Sequence, residues 1–490
     1  MLVEEPLWTS SELSAISDAI CNRPWFADAV QVDSREVLPG DLFIALRGTN
    51  LDGHDYVTEA LSRGAAAVIV SERPNGISQD DPRLIKVDDT LVVLAEMARY
   101  ARTRAPMKTI AVTGSAGKTS VVQALRKALS KVGPTHSSIK SFNNHVGVPL
   151  SLSRIPRSTR YGIFELGMNR PGEIANRSAL VQPDVAIITN VSSAHRGNFD
   201  VLEDIAREKA SILEGVKEGG TAVINIDHPH VKILKAAAFD LGVELVTVSL
   251  NPEAGADIYP IQMTERYDCT CMTAQVGDAT ITYKISQPGP EWAMNSLLVL
   301  AGARAVGADL GEAVLALASL EAELGRGQMH LIDMGDGNYS LIDDSYNANV
   351  ASMEAAFKRT SMVPLAPQSR RFAILGDMRE LGQESEIIHL SLAKQLRKAG
   401  IHKVFAVGPM MEKLARHADI ACEAFDNTDG LADRVMTNLQ GGDVLLVKGA
   451  NSVGLGETVS QLIRMGAESY AFQSFGRPYG SLFGEKMVAE

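Results

Sequence analysis

Thr109-Ile-Ala-Val-Thr-Gly-Ser-Ala-Gly-Lys-Thr-Ser120 decides how the rest of the chain is read. An apolar β-type run, Ile110 to Val112, breaks at Gly114 and Gly117. Lys118, Thr119 and Ser120 follow, then a helical pattern with Val121, Val122, Ala124 and Leu125. Strand, glycine-rich turn and helix is the arrangement in which backbone N–H groups at a helix N-terminus cradle phosphates. Gly114, Ser115, Ala116, Gly117, Lys118, Thr119 and Ser120 are therefore the candidate nucleotide-binding residues. Lys118 is placed to reach the terminal phosphates and the Thr119 hydroxyl to bind Mg²⁺. Val112 stands where the longer eight-residue pattern has a glycine, so this is the shortened form Gly-x-x-Gly-Lys-Thr. An ordinary glycine-rich turn between strand and helix does not need Lys-Thr. The stretch predicts binding of a nucleoside triphosphate.

The chain around it has 490 residues, enough for about three domains at roughly 150 residues each. Hydrophobic residues make up 45% and charged residues 22%, an ordinary globular composition. The formal net charge of -12 argues against an extended nucleic-acid or anionic-membrane surface. Cys21, Cys269, Cys271 and Cys422 lack metal-ligand spacing and imply no disulfide framework, which fits a reducing cytosol. Cys269 and Cys271 read as packing residues in a strand-like run. The N-terminus is acidic where a signal peptide is basic. The most apolar helical stretch, Met294 to Leu320, is interrupted by Gly302, Arg304, Gly307, Asp309 and Glu312, so no segment is expected to span a bilayer. The expectation is a cytoplasmic protein and a monomer.

Residues 1 to 106 read as a small α/β unit. Ser10-Ser-Glu opens a helix, Ala29 to Arg35 and Asp41 to Leu46 are strands, Val57 to Arg63 is a helix, and Ala65 to Val70 is a third strand. Asp33-Ser-Arg35 and Asp52-Gly-His54 have two readings, turn chemistry or ligand contacts, since Ser34 and Arg35 suit a diphosphate. Pro106 marks a linker.

Beyond the phosphate loop, Ser141-Phe-Asn-Asn-His145 is a polar loop carrying Asn143 and Asn144. Tyr161 to Gly167 is a short buried strand with a single carboxylate, Glu165. An acid inside an apolar run is costly unless paired or metal-bound, which favours a functional reading. Val185 to Asn190 is another buried strand ending in polar residues, with His195 five residues later. In parallel sheets, ligands bind at the carboxyl ends of strands. In the helix Val201 to Leu213, Lys209 falls on the apolar stripe of Leu202, Ile205, Ala206 and Leu213. The residues alone slightly favour a lysine snorkelling from the edge of the stripe. The alternative is a neutral amine open to covalent chemistry, such as addition of CO₂ to give a carbamate.

Alternating strands fill residues 220 to 285, and a long helix begins near Gly289 with Asn295 close to its start. Gly325-Arg326-Gly327 is a polar break where a further domain can begin. Then come Tyr339 to Asn349, a helix Ala351 to Lys358, and strands Phe372 to Met378, Val404 to Gly408 and Asp443 to Gly449. The tail from about Phe472 is Gly- and Ser-rich and reads as loose. The fold class is α/β with three domains: a small α/β N-terminal domain (1–106), a central P-loop ATPase-like parallel sheet (107–325) and a Rossmann-like C-terminal domain (326–490).

In combination these residues resemble the Mur ligases, the ATP-dependent amide-forming enzymes of peptidoglycan precursor synthesis. The order Thr113-Gly-Ser-Ala-Gly-Lys-Thr119, Asn143-Asn144, Glu165, Asn190 with His195, Lys209, Asn295, Arg326 and Asp343-Asp-Ser-Tyr-Asn-Ala-Asn349 carries the resemblance over nearly the whole chain. Asp343 to Asn349, Leu375-Gly-Asp-Met378 with Glu380-Leu-Gly382, and Val447-Lys-Gly449 look like the member that adds D-alanyl-D-alanine. The resemblance implies a role in cell-wall biogenesis, cell shape and division. Its substrates would be ATP, a UDP-N-acetylmuramoyl-tripeptide and D-alanyl-D-alanine, with Mg²⁺ as cofactor.

It also assigns roles. Lys118 and the loop amides would hold the ATP phosphates, and Thr119 and Glu165 the Mg²⁺ between them. His195 and a carbamylated Lys209 would position a second Mg²⁺, which overturns the snorkelling preference. Asn295 matches the adenine-side asparagine, and Arg326 and Asp344 match residues reaching ATP from the hinge and third domain. Ser34-Arg35 and Asp52-Gly-His54 resemble the uridine-diphosphate region. Asn347, Asn349 and Lys448 are candidates for the dipeptide end, and Asn143 and Asn144 for substrate contact. Two departures stand out: Glu291 occupies the place of a family histidine, and Val350 replaces the common proline after Asn349.

The chemistry implied is transfer of the ATP γ-phosphoryl to a carboxylate, then attack of an amine on the acyl phosphate, with cations offsetting the meeting of two anions. Closure of the third domain is expected to complete the site. Rival readings are a same-fold ligase adding diaminopimelate or lysine, a folylpolyglutamate synthase, or a non-catalytic ATP switch. The Asp-Asn-Pro-Arg motif tied to diaminopimelate is absent from the last third, where Asp426-Asn-Thr-Asp429 is its nearest relative.

Overall fold

A computed structural model describes residues 5–475, apart from 18, 49–50, 79, 139–141, 193–200, 323, 336 and 380. The chain forms two compact units. The first runs through residue 264 and includes 271–285 and 290–320; the second takes 265–270, 286–289 and the chain from 321 onward.

The first unit holds two main sheets. A four-stranded parallel sheet runs Val30–Gln31, Leu42–Ile44, Ala67–Val70 and Leu84–Lys86 in spatial order. The strand expected over Ala29 to Arg35 is short, because Asp33 caps a 3₁₀ turn, Ser34–Glu36, by accepting the Arg35 N–H. Thr9, not Ser10, caps the first helix, in a reciprocal pair with Glu12. Trp8 Nε1 donates to the Ser153 carbonyl, and one buried core joins this sheet to the helices Gly147–Ser153 and Glu173–Val181.

The second sheet has nine strands. At its heart Lys108–Thr113 lies parallel between Val185–Ile188 and Tyr161–Glu165. The register pairs Val112 with Glu165 and Thr113 with Ile188, so these strands finish at one edge. The buried runs predict this parallel arrangement, with helices on both faces. On one face the helix Lys118–Leu129 packs through Val121, Val122 and Leu125 against Ile110, Val112 and the helix Pro290–Ala305. That last helix is buried all round from Ala293 to Ala303, which places its apolar sequence in a protein core. The apolar stretch is in fact two helices, Pro290–Ala305 and Leu310–Ala318. Among the described residues no helix is long and apolar enough to cross a membrane.

The second unit is a six-stranded sheet in the order Gln328–Asp333, Asn338–Asp344, Val444–Lys448, Arg371–Gly376, Ile401–Val407, Ala421–Phe425. Its first pair is antiparallel and the rest parallel. This is the Rossmann-like pattern read from the sequence, with an antiparallel edge added. Asp443, fully buried, accepts the Arg370 and Gln440 N–H groups and pairs with the Arg370 guanidinium at 3.0 Å. The final helix, Leu455–Phe475, continues past Phe472, where the sequence reads as loose; the rest of the tail lies outside the described residues. Cys269 is buried, but Cys271 faces solvent on the strand Thr270–Val276, so only the first packs as expected.

Candidate active site

The common edge of the central strands gathers most of the candidate residues. The strand ends at Thr113, Gly114 takes φ +152 and Gly117 takes φ +81. Both positions require glycine: a Cβ on Gly114 would stand 1.9 Å from Thr189 Oγ1, and one on Gly117 2.8 Å from Asn295 Oδ1. Asn295 is thereby fixed against the loop, nearly buried. The Ser115 and Ala116 N–H groups both donate to Asn190 Oδ1, at 3.0 and 2.9 Å. Asn190 thus splints the loop to the neighbouring strand. The helix opens at Lys118, which puts Thr119 and Ser120 in its first turn, where amides lack intrahelical partners.

Lys118 Nζ donates to the Gly114 carbonyl at 2.8 Å. Thr119 Oγ1 donates to Glu165 Oε2 at 2.9 Å, and Asn143 Nδ2 to Glu165 Oε1 at 2.7 Å. Glu165 is 2% exposed at its strand end. Its buried charge is therefore satisfied by a hydroxyl and an amide, both of which a hard cation could replace. Asn144 Oδ1 accepts the Val146 and Gly147 N–H groups where the chain enters the helix Gly147–Ser153.

A cavity of about 180 Å³ is lined by Lys118, Asn143, Asn144, Glu165, Met168, Arg177 and Lys209. Lys209 is 1% exposed, and its amine contacts the Met168 sulfur at 3.9 Å. This burial rules out snorkelling, which needs the amine in water. Burial, reinforced by the Lys118 charge, pushes the Lys209 ammonium down from 10.5 to about 7, against an opposing pull from Glu208. A sizeable fraction of the amine is thus neutral near pH 7, the form that adds to CO₂.

Sequence reasoning missed Met168, Glu173 and Arg177. The signal was the polar Gly167-Met-Asn-Arg-Pro-Gly-Glu173 turn directly after the Glu165 strand, at a carboxyl strand end. Arg177 donates to the Gly167 carbonyl and pairs with Glu173 at 3.3 Å, one helical turn away. His195 lies outside the described residues, as does Glu380.

Elsewhere in this unit the Asp33–Arg35 and Asp52–His54 motifs form capped turns. Asp33 pairs with an exposed Arg35, and buried Ser34 donates to Glu59 at 2.7 Å. Asp52 caps the turn Gly53–Tyr56 and contacts His54 Nδ1 at 2.6 Å, while His54 Nε2 accepts the Ser71 N–H at 3.0 Å. Asp52, His54 and Glu72 lie close enough to share a cation. Arg47 already bridges the two acids, and both His54 nitrogens are engaged, so the cluster is complete without one.

The second unit holds its candidates separately. Lys448, 1% exposed, pairs with Asp344 at 2.8 Å and donates to the Asn347 carbonyl at 2.9 Å. The Asn347 side chain accepts the Ala348 N–H, and Asn349 caps the helix Val350–Met362 reciprocally with Ser352. Val350 occupies the first helical position, where proline is common, so the replacement leaves the helix start intact. Arg326 stacks on the Tyr346 ring at 4.3 Å. Glu291 sits in the first turn of the helix Pro290–Ala305, the end that favours an acid.

Comparison with known proteins fits this geometry. The Mur ligase middle domain matches residues 112–303, the Mur ligase glutamate ligase domain 325–451, and the Mur ligase family catalytic domain 27–102. The UDP-N-acetylmuramoyl-tripeptide–D-alanyl-D-alanine ligase of Escherichia coli K12 is 34% identical over 89% of this chain and 93% of its own. The chain belongs to the Mur ligase family. A crystal structure of MurF from Acinetobacter baumannii superposes with a TM-score of 0.82 at 25% identity, over 93% of this chain and 99% of that one. MurF of Thermotoga maritima in complex with ADP gives 0.72 at 26% identity, over 89% and 97%. In this Mur ligase the three family matches fall on the four-stranded sheet, the phosphate-loop sheet and the second unit.

Proposed function

We propose that this Mur ligase joins D-alanyl-D-alanine to UDP-N-acetylmuramoyl-tripeptide, with ATP cleaved to ADP and phosphate. The relatives named for that reaction, one of them solved with ADP, support the reaction and the nucleotide. The observation that carries the chemistry is the single cavity shared by Lys118, Glu165 and Lys209.

A carboxylate is a poor electrophile until phosphorylated. The tripeptide carboxylate oxygen attacks the ATP γ-phosphorus and ADP leaves. The dipeptide amine then attacks the acyl carbon, loses its proton, and phosphate departs. The barrier is largely the approach of two anions, so fixed positive charge and helix N-terminal amides supply most of the catalysis. Lys118 and the first-turn amides of its helix bind the phosphates. Thr119 and Glu165 offer the hard oxygen ligands that suit Mg²⁺, a cation that binds through one or two protein oxygens plus phosphate. When bound, Mg²⁺ neutralises phosphate charge. Lys209 adds CO₂ as its neutral amine, losing a proton to become a carbamate whose oxygens, with His195, would serve a second cation at the acceptor carboxylate. Asn295 borders the loop on the adenine side. The exposed Arg35, beside Ser34, would meet the diphosphate of the UDP substrate, and Arg326, Asp344, Asn347 and Lys448 would serve ATP and the dipeptide from the second unit.

Phosphate release measured with ATP, Mg²⁺ and UDP-N-acetylmuramoyl-tripeptide, with amines added singly, tests the reading. Turnover with D-alanyl-D-alanine is expected. Turnover with diaminopimelate or lysine alone would replace the substrate, and silence with every amine would refute ligase activity.

A further inference from the structure

Glu208 is 7% exposed, stands one residue before Lys209, and its carboxylate is spent on another helix. Its two oxygens accept the Gly172 N–H at 2.6 Å and the Ile174 N–H at 2.8 Å. Gly172 is the N-cap of the helix Glu173–Val181, a left-handed glycine with no side-chain cap of its own. Glu208 therefore caps that helix from across the interface, with a full negative charge at the positive end of its dipole.

The turn so gripped, residues 167–174, lines the same cavity as Lys209. It carries Met168, whose sulfur contacts the Lys209 amine at 3.9 Å, and Arg177 holds its start through the Gly167 carbonyl. Adjacent residues on a helix point about 100° apart. Tying Glu208 to the neighbouring helix thus fixes the rotation of the helix Leu202–Ala210 and with it the direction of Lys209. We propose that Glu208 is a positioning residue, acting through Lys209: it locks the lysine amine into the phosphate cavity beside Met168. This rests on the proposed role of Lys209 and adds the residue that sets its place.

Glu208→Gln keeps the shape but presents a donor to one of the two amides, so one bond is lost. We expect kcat per folded molecule to fall at least tenfold, with the KM for ATP within twofold. The ¹³C carbamate signal of enzyme equilibrated with ¹³C-bicarbonate should weaken in parallel. Asp309→Ala removes an ordinary cap, of the helix Leu310–Ala318, and should lower the unfolding midpoint while leaving kcat unchanged. Glu208→Asp, shorter but still charged, should lie between Gln and wild type and serves if the Gln variant does not fold. A Glu208 variant with wild-type kcat overturns the proposal, whatever its unfolding midpoint, and so does a loss confined to KM. Absence of the ¹³C signal in the wild-type enzyme would refute the carbamate itself. In that case the kcat against KM split still decides whether Glu208 positions Lys209.

Discussion

The edge of the nine-stranded sheet and the Asp343–Asn349 segment of the second unit look alike in sequence, polar runs leaving apolar strands, but the structure uses them differently. At the sheet edge, Glu165 and Lys209 are nearly or wholly buried, and each leans on groups that a ligand could displace: a hydroxyl, an amide, a thioether. In the second unit, Asp343 accepts the Gly325 and Ser345 N–H groups and Asn349 caps a helix. Polar residues tied to backbone set a shape. Polar residues tied to exchangeable side chains, in a cavity, are ready for a substrate.

Lys209→Ala presses hardest on that contrast. It should lower turnover about a thousandfold, roughly 4 kcal/mol of barrier, while ATP still binds and the protein still folds. Near-normal activity would remove Lys209 from the chemistry. Glu165→Gln should cost about a hundredfold in turnover, with the Mg²⁺ needed for half-maximal rate rising. An unchanged Mg²⁺ titration would make Glu165 architectural like Asp343. Asp443→Asn, in the second unit, should reverse the pattern. It weakens a buried ion pair with Arg370 and should destabilise folding by about 2–3 kcal/mol in denaturant titrations, with kcat of the folded enzyme preserved.

The pH profile separates the regions further. The folded-state value for Lys209, about 7, lies below its ordinary 10.5. Less neutral amine is available as pH falls, so turnover should drop below about pH 7, approaching tenfold per unit. The unfolded chain holds a proton on this lysine between about 7 and 10.5 that the folded chain lacks. Stability should therefore gain from this residue as pH rises across that window, and Lys209→Met should abolish the gain in pH-dependent melting curves. The smallest effect is expected for Asn349→Ala: about 1 kcal/mol of stability through the lost cap, with the KM for the dipeptide unchanged. A large rise in that KM would move Asn349 from architecture to binding.

Much of the sheet edge was legible because its signals are local. Gly114, Gly117 and Lys118-Thr119 sit within one turn, Glu165 is an acid in an apolar strand, and Lys209 lies on an apolar stripe. What stayed hidden depends on residues distant in sequence. Asn190 spends its carbonyl on two loop amides 74 and 75 residues away, a contact no periodicity reports. Whether Lys209 snorkels or is buried depends on packing with residues such as Met168, 41 positions away. Asp33 and Asp52 have two readings because capping and ligand binding ask for the same residue types; the structure shows the caps, to the Arg35 and His54 N–H groups.

The central claim is that the sheet-edge cavity activates a carboxylate by phosphorylating it. The direct measurement uses UDP-N-acetylmuramoyl-tripeptide labelled with ¹⁸O in its acceptor carboxylate, turned over with ATP and D-alanyl-D-alanine. One ¹⁸O per turnover in the released phosphate is the predicted result, because the carboxylate oxygen leaves with phosphorus. Unlabelled phosphate at full turnover would contradict the account.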